Sequence, residues 1–208
     1  MLSAETPIRS KRQAICHARS KLPHSGWGLR ERTGRVASGV AHFLPTYAAL
    51  KSNFKTPAAL TTPELADQLG GKVEVNIEGN LAAFGNTCAI RISRALNGAG
   101  HLVPYSTSPR VISDKDRRWY IYSVSELSAY LKKTYGPPYA PLKREMTNFS
   151  GMRGIIIFHG GIPGATGHAD LWNGSHCEGT CYFGVALRIE LWEAPSVSPT
   201  AFGGWKWW

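Results

Sequence analysis

The chain has 208 residues, 43% hydrophobic and 18% charged, globular values that exclude wholesale disorder, and no apolar run approaches the roughly 18 residues of a membrane-spanning helix, so membrane insertion is not expected. Its formal charge of +10 is concentrated at the start: residues 1–36 hold eight Lys/Arg against Glu5 and Glu31, leaving +4 on the rest. That mildly basic body suits an acidic polymer or partner and argues against a nucleic-acid binder, since no basic and aromatic motif interleaves in it.

Residues 1–36 lack hydrophobic periodicity and the apolar stretch of a secretory signal. Their composition predicts a disordered, dispensable leader, either transit-like or the product of an upstream start codon. A single domain is expected over 37–195 and an aromatic tail over 196–208. "HFLPTYAALKSNF" carries a helical stripe at Phe43, Leu44, Tyr47 and Leu50. "TTPELADQLGG" predicts a short helix, with Thr62 as N-cap, Pro63 at the first helical position and Gly70-Gly71 as the stop. "KVEVNIEGN" alternates, and is expected to be a short strand or an extended loop. The next helix opens in "GNTCAIRISRALNGAG", with Ile92, Ala95 and Leu96 on one face and Gly98 past its end.

"RRWYIYSVSELSAYLKKTYGPP" predicts a strand and then a helix, with Ser123 and Glu126 at capping-box spacing and Gly136-Pro137-Pro138 as the stop. Three β segments follow, in "MRGIIIFHG", "TGHADLW" and "YFGVALRIELWE", joined by glycine-rich connections. Helices first and an antiparallel sheet afterwards make an α+β fold.

Four cysteines occur: Cys16 in the leader, Cys88 alone, and the close pair Cys177 and Cys181. A helical cysteine is ordinarily a small packing residue. In the first turn of a helix, however, unpaired N–H groups and the macrodipole favour a thiolate. Asn86 and Thr87 precede Cys88 as caps, and the Cys88 backbone N–H is expected to face a developing oxyanion. Such a nucleophile needs a histidine base from elsewhere in the chain. Of seven histidines, His168 is best placed, opening "GHADLW" after a glycine-rich stretch. On a strand His168, Asp170 and Trp172 share one face, so a carboxylate can fix the imidazole. The plain alternative is a surface histidine on a hairpin. Cys177, Cys181 and His176 supply only three crowded ligands where zinc takes four, so a loop-closing disulfide is preferred. Neither a phosphate-binding loop nor a dinucleotide fingerprint is present.

Taken together, "GNTCAIRISRALNGAG", "RRWYIYSVSELSAYL", "RGIIIFHG", "GHADLWNGSHCEGTC" and "VALRIELWE" resemble, in order and spacing, the type VI secretion amidase effectors of the fourth family. These are peptidoglycan-cleaving toxins with an NlpC/P60-like, papain-related fold, and the resemblance spans roughly residues 40–193. It places the family's nucleophile on Cys88 and its general base on His168, and matches its active-site disulfide to Cys177 and Cys181. The family's third catalytic residue, an Asp two positions after the first of these cysteines, falls on Gly179. Glu178 or Asp170 is then expected to orient the imidazole, with Glu178 preferred for its reach and its loop position.

The activity so implied is hydrolysis of the γ-D-glutamyl–meso-diaminopimelate bond in the peptidoglycan peptide stem, with no metal or organic cofactor. Two alternatives stand beside it: a papain-like acyltransferase, and a catalytically impaired wall-binding module, for which Gly179 is the argument. The resemblance also implies a cognate immunity protein, delivery by the secretion machinery without a signal peptide, and action in the periplasm of target bacteria.

Overall fold

A computed structural model describes residues 43–197; the leader at 1–36 and the tail beyond Val197 lie outside the described residues. The first helix, α1 (Tyr47–Asn53), starts later than its apolar stripe suggests. Thr46 fixes the start, its Oγ1 accepting the Ala49 N–H at 3.2 Å, so Leu44 is buried ahead of the helix while Phe43 is 59% exposed. Helix α2 (Thr62–Leu69) is capped one residue earlier than expected: Thr61 and Glu64 form a reciprocal capping box, with Pro63 in the first turn.

The alternating segment after α2 is a helix, α3 (Gly71–Gly79), and not a strand. Val73 and Ile77 are buried at i and i+4 against Leu65, Leu69 and Ile90, whereas Val75, which made the segment look alternating, is 68% exposed. Gly70 and Gly71, with φ of 63° and 64°, turn one helix into the next without ending the helical region. A Cβ on Gly71 would meet the Asp114 carbonyl carbon at 2.6 Å, so the turn packs tightly on the strand region beyond. A short α4 (Leu81–Phe84) then leads to α5 (Cys88–Gly98), which retains Gly98 as its last residue.

Helix α5 is buried along almost its whole length, and its polar residues are used to stitch it in place. Ser93 Oγ accepts the Ile121 N–H at 3.0 Å, and Asn97 Nδ2 donates to the Trp119 carbonyl at 2.9 Å. Both partners lie on β2 (Trp119–Ile121), which pairs antiparallel with a strand the periodicity did not suggest, β1 (Val111–Ser113). Helix α6 (Val124–Tyr135) follows, ended by Gly136 at φ 86°. Its expected capping box does not form: Ser123 Oγ bonds Ser125 Oγ, and Glu126 pairs with Arg110 at 2.9 Å.

The C-terminal part is an antiparallel sheet in the order β4-β3-β5, from β3 (Gly154–His159), β4 (Gly167–Trp172) and β5 (Arg188–Glu193). Central β3 is apolar on both faces because both are covered. Ile155, Ile157, Ala169, Leu171 and Trp192 pack against α1, α5 and α6. Ile156, Phe158, Trp172, Ile189 and Leu191 pack beneath Phe149, Tyr182 and Phe183. The fold is thus α+β, with small antiparallel sheets behind a helical N-terminal half.

One buried carboxylate ties sheet to helix. Glu190 on β5 accepts from His159 Nε2 at 2.6 Å, Ser128 Oγ at 2.7 Å and Lys132 Nζ at 2.6 Å, the last two on α6. Burial alone would raise its pKa; the bonds from His159, Lys132 and Ser128 win, and hold it down at about 2. The stabilisation is therefore complete above the ordinary glutamate value and is lost as pH falls towards 2. Thermal unfolding followed from neutral pH into this window should show a steep loss of Tm in the wild type. Glu190→Gln should be less stable at neutral pH and show a flatter acid dependence.

Candidate active site

Cys88 opens α5 and is a free thiol, 5% exposed. Thr87, the N-cap residue, gives the helix no side-chain cap; its Oγ1 instead accepts from Arg91 Nε at 3.0 Å. The cap comes from Asn86, whose Oδ1 accepts the Cys88 N–H over a long 3.4 Å. The same amide donates from Nδ2 to the Gly167 carbonyl, also at 3.4 Å, and so joins the start of α5 to the start of β4. That link brings Cys88 beside His168. The Cys88 N–H, expected to face an oxyanion, is loosely engaged by Asn86 instead.

His168 follows a glycine for a packing reason. A Cβ on Gly167 would meet the Phe158 carbonyl oxygen at 2.7 Å and Val124 Cγ1 at 3.0 Å, so only glycine lets the strand lie this close to α6. The imidazole packs edge-on to Tyr182, with ring centroids 5.0 Å apart. Its Nε2 lies 3.3 Å from Asp170 Oδ2, and the ring also hydrogen-bonds the thiol of Cys88. Burial lowers the imidazole pKa, but the bonds to Asp170 and Cys88 and the charges on both outweigh it, raising the value to about 9.

Asp170 is 2% exposed and is held by main-chain donors. Its Oδ1 accepts from Leu171 N at 2.7 Å, and its Oδ2 from Thr180 N at 2.8 Å and Gly179 N at 3.1 Å. Both of the latter donors belong to the loop closed by the Cys177–Cys181 disulfide. The loop is laid along β4 by a bond from Glu178 N to the Leu171 carbonyl at 2.8 Å. A Cβ on Gly179 would stand 2.7 Å from Asp170 Oδ2, so any side chain here would push the carboxylate from its present position. The position where the resemblance expects a carboxylate is thus filled from the strand side by Asp170.

The preferred acid, Glu178, lies elsewhere. Tyr47 donates to its Oε1 at 2.5 Å, and Lys51 Nζ sits 2.8 Å from the same atom. Burial raises its pKa, the bonds from Lys51 and Tyr47 lower it, and the net direction is down. Its carboxylate is committed to α1, and makes no hydrogen bond to His168 among those described. The structure therefore brings Cys88, His168 and Asp170 together and sets Glu178 apart.

Cys88, His168, Asp170, Asn86, Arg91 and Thr180 share a cavity of about 190 Å³. A larger groove of about 920 Å³ lies by Tyr47, Tyr139, Arg153 and Trp192, but contains neither Cys88 nor His168. Among the described residues no group of three His, Cys, Asp or Glu is placed to hold a metal ion. Sequence reasoning did not single out Tyr182, Thr180 or Arg91. Only Arg91 carried a signal, as a cation three residues beyond Cys88 in the same helix.

Replacing Gly179 by alanine should displace the Asp170 carboxylate and lower the His168 pKa from about 9 towards 6.5, read by NMR titration of the imidazole. An unchanged value in a folded Gly179→Ala protein would show that this loop does not hold the acid in place.

A model of the family described as type VI secretion system (T6SS), amidase effector protein 4, Tae4, matches residues 84–192, a span that runs from just before Cys88 almost to the end of β5. No curated protein sequence matches significantly. Among solved structures, the effector Tae4 from Enterobacter cloacae is 30% identical, covering 74% of this chain and 99% of its own, with a TM-score of 0.66. The Tae4–Tai4 effector–immunity complex from Enterobacter cloacae is similar at 31% identity, 73% and 99% coverage and a TM-score of 0.66. That from Salmonella Typhimurium is similar at 31% identity, 73% and 99% coverage and a TM-score of 0.63. With the cysteine helix, the histidine strand and the disulfide loop all inside the matched span, the chain belongs to the type VI secretion amidase effector 4 family.

Proposed function

We propose that this amidase effector is a cysteine hydrolase that cuts the γ-D-glutamyl–meso-diaminopimelate bond of peptidoglycan stems, acting in the periplasm of target bacteria. The observation that carries the reading is the chain of contacts from Cys88 to His168 to Asp170 within one cavity. A helix-borne cysteine followed by a histidine on an antiparallel sheet also supports an NlpC/P60-like, papain-related arrangement.

The chemistry proceeds without a cofactor. His168 takes the Cys88 proton, giving an imidazolium beside a thiolate, and Asp170 orients the ring. The thiolate attacks the glutamyl γ-carbonyl carbon, and the carbonyl oxygen becomes an oxyanion. The Cys88 N–H, held at 3.4 Å by Asn86, is a donor the oxyanion can recruit, and loss of such a donor costs roughly 10²–10³ in rate. As the C–N bond breaks, His168 protonates the leaving diaminopimelate amine. A water, deprotonated by His168, then cleaves the thioester and releases the glutamyl carboxylate.

Asp170 in contact with the imidazole supports the hydrolase over the binding-only module for which Gly179 was the argument. The neighbouring effector–immunity complexes with Tai4 support a cognate immunity protein as the partner. The domain limits 37–195 remain our reading of the sequence.

Digestion of diaminopimelate-type sacculi by wild type and Cys88→Ala, read by mass spectrometry, tests the proposal. Cleavage between D-Glu and diaminopimelate, abolished in the mutant, is expected; intact stems from folded, oxidised protein would refute it. The imidazolium is lost as pH rises through about 9, so kcat/KM should fall on that alkaline limb, and Asp170→Asn should move the limb to lower pH.

A further inference from the structure

Arg91 is 2% exposed and lies one helical turn beyond Cys88, in the wall of the same cavity. Two of its nitrogens are fixed: Nε donates to Thr87 Oγ1 at 3.0 Å, and Nη1 to the Lys55 carbonyl at 3.0 Å. Among the described residues, two buried side-chain polar atoms have no hydrogen-bond partner, and Arg91 Nη2 is one of them. The other, Glu126 Oε2, belongs to a residue already paired with Arg110, away from the cavity. Among the described residues no acidic side chain lies in salt-bridge range of Arg91. Among the described residues that line the cavity, Asp170 is the one carboxylate, and it is committed to main-chain donors and His168. A buried guanidinium held rigidly, with a donor group unused and only the charge of Cys88, itself one turn away, acting on it in place of a paired carboxylate, is a prepared site for an anion.

We propose that Arg91 binds a carboxylate of the substrate peptide beside the scissile amide. The inference rests on the amidase reading of Cys88. The free α-carboxylate of the γ-linked D-glutamyl residue is the best match. A short carbon chain separates it from the carbonyl that Cys88 attacks, as one helical turn separates Arg91 from Cys88. Diaminopimelate, on the amine side, carries the other carboxylates. The site thus distinguishes a glutamyl from an isoglutaminyl stem, because an α-amide presents no negative charge to the guanidinium.

The test compares three synthetic stem peptides: the free acid, the D-glutamyl α-amide, and one amidated on diaminopimelate. Wild type should cleave the α-amide roughly 10- to 100-fold less efficiently than the acid, the span expected for one charge-assisted hydrogen bond. In Arg91→Gln the acid should fall to the level of the amide, while Arg91→Lys, which keeps the charge, should retain part of the preference. Discrimination confined to the diaminopimelate amide, and lost in Arg91→Gln, would keep the carboxylate site but assign it to the amine side. Equal cleavage of all three peptides by wild type, or a preference that survives Arg91→Gln, would overturn the proposal. Should the Arg91 variants misfold, the comparison on wild type still decides. Calorimetric binding of the same peptides to Cys88→Ala separates this inference from the hydrolase reading. Selective binding of the acid without cleavage by wild type sinks only the latter. Cleavage with no selective binding sinks only the former.

Discussion

The candidate site hangs on one carboxylate and where its charge is kept. Asp170 is buried on a central stretch of β4, a costly place for a negative charge unless donors surround it. Three main-chain N–H groups and the His168 imidazole provide them. Each element around the site is shaped by that requirement. The disulfide loop must lie along the strand to deliver the Gly179 and Thr180 N–H groups, a side chain at 179 would crowd the carboxylate, and the imidazole turns its Nε2 inward. The same ring hydrogen-bonds Cys88.

Seen this way, Gly179 and Asp170 are complementary and not independent. A Cβ at position 179 would stand 2.7 Å from Asp170 Oδ2, and the Gly179 N–H is one of the donors that holds that carboxylate, so exchanges at the two positions should not be additive.

Much of this was legible in the residues themselves. The alternation of "GHADLW" put His168 and Asp170 on one strand face, and the apolar stripe after Cys88 placed the thiol in a first turn. The identity of the acid was not, because it depends on a distance between a loop and a strand that spacing along the chain does not encode. Glu178 has the reach, but Tyr47 and Lys51, 131 and 127 positions earlier, occupy it first. The helix at Gly71–Gly79 was misread for a similar reason: Val75 is apolar yet faces solvent, and only packing against α2 and α5 reveals Val73 and Ile77 as the true stripe. At Ser123 the capping-box residues are present, but Arg110 claims the glutamate that would have closed it.

The bond from Asn86 to Gly167 joins residues 81 positions apart and, with the packing of Cys88, Ala89 and Ile92 against Ala169 and Leu171, sets the thiol beside the imidazole. No local segment holds both reacting groups, so the site has no existence in any fragment or early collapsed form. A chain whose helices have formed but whose sheet has not closed on them holds Cys88 with neither His168 nor Asp170 beside it, so the candidate site exists only once both halves of the fold are in place.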